Sequence, residues 1–460
     1  MLGVYEFFGV RELAPALKMN NLPPNSTNAS AFDAHHPPSD ELIEKCVHCG
    51  FCLPVCPTYV LWGQEMDSPR GRIYLMKLAA DGAVEMNSNW VSHFDTCLGC
   101  MACMPACPSG VDYGKLIEAT RAQIERNTSR SSAESFHRRF ILENFTRPDR
   151  LRRMRLPLLI YQKTGLQAAL RGLGLLHLLP KKLQVMEALL PKLRRREAVA
   201  EFTPATGAKR RRVGLLLGCV QREFFSQVNA ATVRVLAAEG CEVLAPQAQS
   251  CCGALPVHAG EEAAAVDLAR KTIDTFEQAY VDTVVTNAAG CGSNVKEYGH
   301  LLRDDPAYAG RARKFAAKCK DISELLAELQ PRATRNPLKL RAAFHDSCHL
   351  QNAQGVRSQP RALLSGIPEL ELAEIPEAPI CCGSAGIFNL VQPDTAKALG
   401  DRKADLIAPL NVDVVATGNP GCILQMQSAL ARHGQKMPVL HFIQLLDASL
   451  RGKSLDSLRG

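Results

Sequence analysis

The chain has 460 residues, 46% of them hydrophobic, with 54 Lys+Arg against 46 Asp+Glu for a formal charge of +8, and 18 cysteines. This balance excludes collagen, coiled coil and wholesale disorder, and predicts a globular protein of several domains. No stretch reaches the roughly 18 uninterrupted apolar residues of a spanning helix; the nearest, Leu156 to Pro180, is broken by Lys163, Arg171 and His177.

The first residues have neither a basic n-region nor a compact apolar h-region ending in small residues. No secretory signal is therefore expected, and the chain is placed in a reducing cytoplasm. Cysteines there point to metal rather than disulfides. Residues 1–40 are expected to form a disordered leader, because 19–39 are rich in Asn, Pro and Ser and hold few large apolar side chains to offset the entropy of ordering.

Residues 41–121 form a small domain with two cysteine runs. The first reads Cys46-Val-His-Cys49-Gly-Phe-Cys52-Leu-Pro-Val-Cys56-Pro57, and the second Cys97-Leu-Gly-Cys100-Met-Ala-Cys103-Met-Pro-Ala-Cys107-Pro108. Both are C-x2-C-x2-C-x3-C-P, the bacterial ferredoxin run, in which the Cys before Pro ligates the neighbouring cluster. The spacing therefore assigns Cys46, Cys49, Cys52 and Cys107 to one 4Fe-4S cluster, and Cys97, Cys100, Cys103 and Cys56 to a second. Gly50 and Gly99 suit turns with positive φ. A structural zinc site is the competing reading, but zinc asks for two separated pairs and not for a third Cys and a Cys-Pro twice over. Between the runs, Arg70 to Ala83 has apolar residues at helical spacing.

Residues 122–212 are expected to be a basic helical connecting segment. Counted from Arg121, the stretch to 212 holds 22 Lys+Arg against 7 Asp+Glu, a net of +15, so the rest of the chain carries 8 − 15 = −7. Basic runs such as Arg150 to Arg155 and Lys192 to Arg196 flank the apolar stretch 156–190. That mix suits amphipathic helices at an anionic surface, or a solvated linker.

Residues 213–330 and 338–446 are tandem repeats. The first has Cys219, Cys251, Cys252 and Cys291; the second has Cys348, Cys381, Cys382 and Cys422, offset by 129, 130, 130 and 131 residues. Each copy opens with a β-rich run (Val213 to Leu217; Arg341 to His345) and later presents an amphipathic helix (Glu261 to Gln278; Asp394 to Ile407). Alternating strands and helices predict α/β units with parallel sheets. Ligands gather beyond the carboxyl ends of such strands, where both quartets fall, so each quartet is a candidate metal site, packing of a domain interface being the alternative. Gly253 and Gly383 would permit the turn that adjacent cysteines need. Cys241 and Cys319, which have no counterpart, read as ordinary buried cysteines. Of His258, His345, His349 and His441, each more readily a core or surface residue, His349 beside Cys348 is the best candidate ligand or proton relay. The fold class expected is α+β multidomain: a small, mainly helical two-cluster ferredoxin-like domain, then two tandem α/β Cys-Cys-Gly repeats.

Two ferredoxin runs followed by two Cys-Cys-Gly domains resemble the iron-sulfur subunits of membrane-associated flavin dehydrogenases. Lys45 to Cys52, Ser68 to Tyr74, Asn287 to Gly292 with Val295 to Tyr298, and Phe344 to Cys348 look most like the glycolate oxidase iron-sulfur subunits. The resemblance implies an electron-transfer subunit with no catalytic residue of its own, which passes electrons from a FAD-containing dehydrogenase subunit towards a quinone or membrane acceptor. Its implied cofactors are two 4Fe-4S clusters, further clusters in the repeats and no flavin on this chain, in keeping with the lack of a G-x-G-x-x-G or Walker A run. Its implied location is cytoplasmic or peripheral on the inner face of the cytoplasmic membrane. One departure is plain: heterodisulfide reductases end each repeat with C-x2-C, whereas Asn294 and Gln425 stand at those last positions here, which argues against non-cubane clusters and disulfide reduction. The alternatives are the iron-sulfur subunits of L- or D-lactate or glycerol-3-phosphate dehydrogenases, and a heterodisulfide-reductase-like enzyme. A zinc protein that binds nucleic acid is disfavoured, because few aromatics interleave the basic segment.

Overall fold

The computed structural model describes residues 29–459. The cysteine runs sit on loops held by short, well-capped helices. Ser68 accepts a hydrogen bond from the Gly71 N–H at 3.0 Å and Pro69 opens the helix Pro69–Ala80, while Asn87 and Asp112 cap Ser88–Asp95 and Tyr113–Asn127. Side-chain oxygens at these positions satisfy amides that a helix start leaves unpaired. Met76, Phe94, Leu116 and Ile117 form a solvent-free core beneath the loops.

The expected leader is corrected over its last residues. Residues 29–39 are packed: Phe32 is buried, and Asp33 receives hydrogen bonds from Gln123, Arg126 and Asn127. Arg126 holds the Asp33 carboxyl well below the usual range. His36 reaches Glu262 at 2.6 Å and Asp304 at 2.7 Å in the first repeat. A few specific polar contacts and one aromatic anchor thus replace the hydrophobic burial that composition lacks. The leader's earlier part, 1–28, lies outside the described residues.

The connecting segment is helical over Ser132–Phe145, Pro148–Lys163, Leu166–Gly172 and Lys181–Ala188. Its last residues differ from expectation, because Phe202–Thr203 (β1) and Arg211–Leu216 (β2) belong to the first sheet. Arg211 and Arg212 are accepted in β2 because its first two positions are only partly buried, while Val213 to Leu216 are buried.

The first sheet continues with β3 (Cys241–Leu244), β4 (Thr283–Thr286) and β5 (Cys319–Asp321), and the second holds β6 (Leu340–His345), β7 (Leu370–Glu374), β8 (Val414–Thr417) and β9 (Val439–His441). Strand order is β1-β3-β2-β4-β5 in one and β7-β6-β8-β9 in the other. Apart from the antiparallel β1, all pairings are parallel. Without β1 the orders coincide, so the duplication read from cysteine spacing extends to topology. Even the strand entries match: Asp282 accepts from the Arg212 N–H at 2.9 Å and Asp413 from the Arg341 N–H at 2.8 Å. Arg234 forks onto Asp447 at 2.8 and 2.7 Å, joining the repeats. Asp447 is buried but Arg234 is partly exposed and Arg451 also reaches the carboxylate at 3.3 Å, so losing the Arg234 contact costs about 1–3 kcal/mol.

Candidate iron-sulfur sites

In each ferredoxin run the backbone turns left-handed twice: at His48 and Gly50 in the first, and at the matching Gly99 and Met101 in the second. Glycine fills one of the two positions in each run, and not the same one. This curl turns the thiols inward. Cys46, Cys49, Cys52 and Cys107 line one small cleft, so the structure brings the last cysteine of the second run to the first, with Cys103 also at the wall. This cleft is near the surface, with Cys49, Val47 and Phe51 exposed. Cys56, Cys97, Cys100 and Cys103 are buried.

The buried run has compensating charge. Arg72, 1% exposed, donates to the His93 carbonyl, Thr58 and Thr96. Arg121 donates to the Cys97 carbonyl, and the Gly99 N–H donates to Cys97 Sγ at 3.4 Å. Burial pushes the Cys97 thiol up, but the charges of Arg72 and Arg121 outweigh it, and the thiol lies below its usual range. Burial pushes Cys100 and Cys103 well above theirs and takes Cys52 up to about 11. Four inward thiols, nearby cations and an amide directed at sulfur form a donor set that fits an anionic cluster of iron and thiolates.

In the repeats, every quartet cysteine follows the carboxyl end of a strand. Cys219 and Cys251 are 3.5 Å apart, and Cys348 and Cys381 3.9 Å. Cys252 interacts with Cys251 and Cys291, and Cys382 with Cys381 and Cys422, so each quartet is one contiguous group of sulfurs. The Cys-Cys turn requires its glycine: φ is +85° at Gly253 and +88° at Gly383, and an added Cβ would lie 3.3 Å from the Ala265 carbonyl and 2.6 Å from that of Ala396. Asn294 donates to the Cys252 carbonyl and Gln425 to the Ala396 carbonyl, both at 2.7 Å. These amides brace backbone where a fifth thiol would otherwise stand. Cys241 and Cys319 are buried on β3 and β5.

The histidines separate. His345, not His349, stands with thiols: its ring nitrogen, Cys382 Sγ and Cys422 Sγ lie within 4.8 Å of one another. The Cys382 thiol's hydrogen bond, aided by His345, pulls Cys422 down to about 5 against the effect of burial. His349 instead bonds the Gly99 carbonyl at 2.8 Å and Ser293 at 3.0 Å, and burial takes its ring down to about 4. Buried His441 bonds the Asn287 carbonyl at 2.8 Å. His258 touches His349 edge to face and lies 3.4 Å from Glu118.

The buried ferredoxin run abuts the second repeat. Leu98, Cys100 and Ala102 share an apolar cluster with Ile380, Cys381 and Phe388, and Asn352 donates to the Cys100 carbonyl at 3.1 Å. The rims of the two repeats meet as well, through Gln354 to the Ala289 carbonyl at 3.0 Å and the Ala289 N–H to the Gly418 carbonyl at 3.1 Å.

Comparisons with known proteins match three kinds of segment. Residues 42–111 match the 4Fe-4S dicluster domain, and 213–296 and 342–427 match the Cysteine-rich domain. Residues 133–190 match the linker region of the glycolate oxidase iron-sulfur subunit. The chain is 40% identical over 412 residues to the "Probable glycolate oxidase iron-sulfur subunit" of Bacillus subtilis, covering 87% of this chain and 92% of that one. It belongs to the glycolate oxidase iron-sulfur subunit family. The Escherichia coli glycolate oxidase iron-sulfur subunit is 34% identical over 92% of this chain and 97% of its own. Lactate utilization protein A of Bacillus cytotoxicus is 32% identical over 52% of this chain and 99% of its own. As a glycolate oxidase iron-sulfur subunit the chain binds iron-sulfur and works with other subunits of an oxidoreductase complex. Among the described residues, no helix is long and apolar enough to cross a membrane.

Proposed function

We propose that this subunit carries electrons singly from a FAD-containing partner towards a quinone, and oxidises no 2-hydroxy acid by itself. The observation that carries this reading is the unbroken file of thiol sites. It runs from the exposed first run, through the buried second run, to Cys348 and Cys381, and on to the facing first repeat. Cys46, Cys49, Cys52 and Cys107 would hold one 4Fe-4S cluster, Cys97, Cys100, Cys103 and Cys56 a second, and the two quartets further clusters. Such clusters, when bound, exchange electrons one at a time and offer no acceptor for a hydride. Glycolate is favoured over lactate because the glycolate oxidase relatives match nearly the whole chain, whereas the lactate utilization relative covers about half of it. Peripheral seating at the cytoplasmic face of a membrane completes the reading.

Anaerobic purification with co-purifying partners, followed by iron, sulfide and flavin analysis, tests it. The isolated chain should contain iron and sulfide, lack flavin and leave glycolate untouched, and the complex should reduce a quinone analogue with glycolate as donor. Flavin and glycolate turnover on the isolated chain would overturn the division of labour.

A further inference from the structure

Beneath the connecting helices lies a cavity of about 560 Å³, within the range of small-molecule sites. One wall is apolar and comes from the connecting segment, including Leu158, Leu170, Leu176, Leu179 and Leu183; the opposite wall carries cysteines of both quartets, whose clusters would take up that side and leave the part beside the leucines. Two polar groups on the lining are left over. His258 Nε2 and Gln221 Oε1 are buried and have no hydrogen-bond partner among the described residues. Gln221 is 2% exposed, and its Nε2 already donates to Asn287, which fixes the free atom as the oxygen. Buried polar atoms are nearly always paired, so a ring nitrogen and an amide oxygen left open on one cavity wall point to a ligand that meets both.

The outer side of the same helices is apolar and basic. Leu156, Ile160, Leu173 and Leu178 are 54–82% exposed, and Arg152, Arg153, Lys163, Lys181 and Lys182 are exposed among them. Leu179 and Leu183 belong to both surfaces, being 38% and 47% exposed while lining the cavity. Basic and apolar side chains mixed on short helices suit the headgroup region of an anionic bilayer.

Building on the proposed electron transfer towards quinone, we propose that this cavity is the quinone-reducing site: the 152–183 face lies on the membrane, the isoprenoid tail passes Leu179 and Leu183, and the head meets His258 and Gln221. Reduction to the quinol takes two electrons, which clusters held by the thiolates would deliver singly from the partner's reduced flavin, and two protons, one O–H bond forming at each carbonyl oxygen. As imidazolium, His258 gives one proton from Nε2 to the carbonyl oxygen it faces and is recharged from solvent by Glu118, which lies 3.4 Å from its Nδ1 and lines a separate surface cleft; the second proton reaches the other carbonyl oxygen from solvent. Gln221 Oε1 accepts from the new hydroxyl.

The test uses the complex of the full chain with its flavoprotein partner and a photoreactive azidoquinone bearing a decyl tail. Labelling should fall on peptides within 154–190, 218–224 or 254–258 and be competed by decylubiquinone; labelling elsewhere, or labelling without competition, overturns the proposal. His258→Gln should lower quinone reduction on the order of 10²-fold while retaining the label and the reduction of an artificial dye directly by the flavin; unchanged quinone reduction overturns the assignment. Leu179→Asp, at a half-exposed position, should abolish the label with the EPR spectra of the clusters intact; a retained label overturns the tail path. Reversing Arg152, Arg153, Lys181 and Lys182 to Glu should remove binding to phosphatidylglycerol vesicles, and retained binding overturns the membrane route. Labelling needs no 2-hydroxy acid, so failure of the electron-transfer reading would appear separately, as loss of glycolate-driven dye reduction by the unaltered complex.

Discussion

The two repeats present four thiols each on the same four-strand frame, yet different neighbours touch those sulfurs. In the second repeat His345 ends β6 beside Cys382 and Cys422, and the buried ferredoxin run packs on Cys381. The matching position in the first repeat is the buried Leu216. There the carbonyl of Cys252 is braced instead by Asn294 and Tyr298, both at 2.7 Å. Duplication thus preserved the backbone that gathers thiols, and divergence acted on what surrounds them. Since metal sites are tuned mainly from outside the ligand set, the same frame can hold two centres of different potential.

The comparison breaks most visibly if the thiols themselves are removed. Changing Cys251 and Cys252 to Ser, or Cys381 and Cys382, should in either case drop quinone reduction by the complex to background while an artificial dye is still reduced by the flavin. Intact quinone reduction in both variants would mean that neither quartet carries electrons. The glycines sharpen the contrast. Gly383→Ala should destabilise by about 3–5 kcal/mol and Gly253→Ala by about 1–2 kcal/mol in denaturant titrations, since both take a left-handed turn but only the former drives a Cβ into backbone. Equal costs would show the two turns to be interchangeable.

A subtler variant makes the repeats more alike. His345→Leu should weaken iron retention by the second repeat about 10- to 100-fold in chelator competition, leaving the first repeat's EPR signal as it was. Smallest of all, Asn352→Ala should cost about 1 kcal/mol in thermal melts through the lost hydrogen bond to the Cys100 carbonyl. Full iron content should remain, and loss of iron would give that contact a larger part in assembling the second site.

What could be read from the chain beforehand was whatever repeats or alternates locally. The helix expected over Glu261 to Gln278 spans Glu262–Gln278, and the β-run Arg341 to His345 spans Leu340–His345. The Cys-Gly spacing announced both turns. Contacts made between distant segments were not legible. His349 looked the better ligand because it follows Cys348, but the turn at Cys348 sends its ring to Gly99, whereas His345, at the buried end of β6, faces the thiols. Gln221 and His258 carry no motif, and they matter only because the connecting helices fold back over the repeats. The net +15 of that segment was visible; its partition was not. Arg130 and Arg138 are spent on Asp95 and Glu134, and Arg196 on Glu223, while Arg152, Arg153, Lys181 and Lys182 stay exposed.

The strap at 29–39 has a consequence for the order of assembly on the ribosome. His36 closes on Glu262, a residue 226 positions later, and chains grow at about 5–20 residues per second. Roughly 10–45 s must therefore pass between the synthesis of the strap and that of its anchor. In that interval both ferredoxin runs are complete while the latch that ties their domain to the first repeat is still open. Iron and sulfide can thus be delivered before the latch shuts, and a nascent chain halted short of Glu262 should accept clusters and keep Phe32 and Asp33 packed, yet leave the strap from His36 onward open to protease.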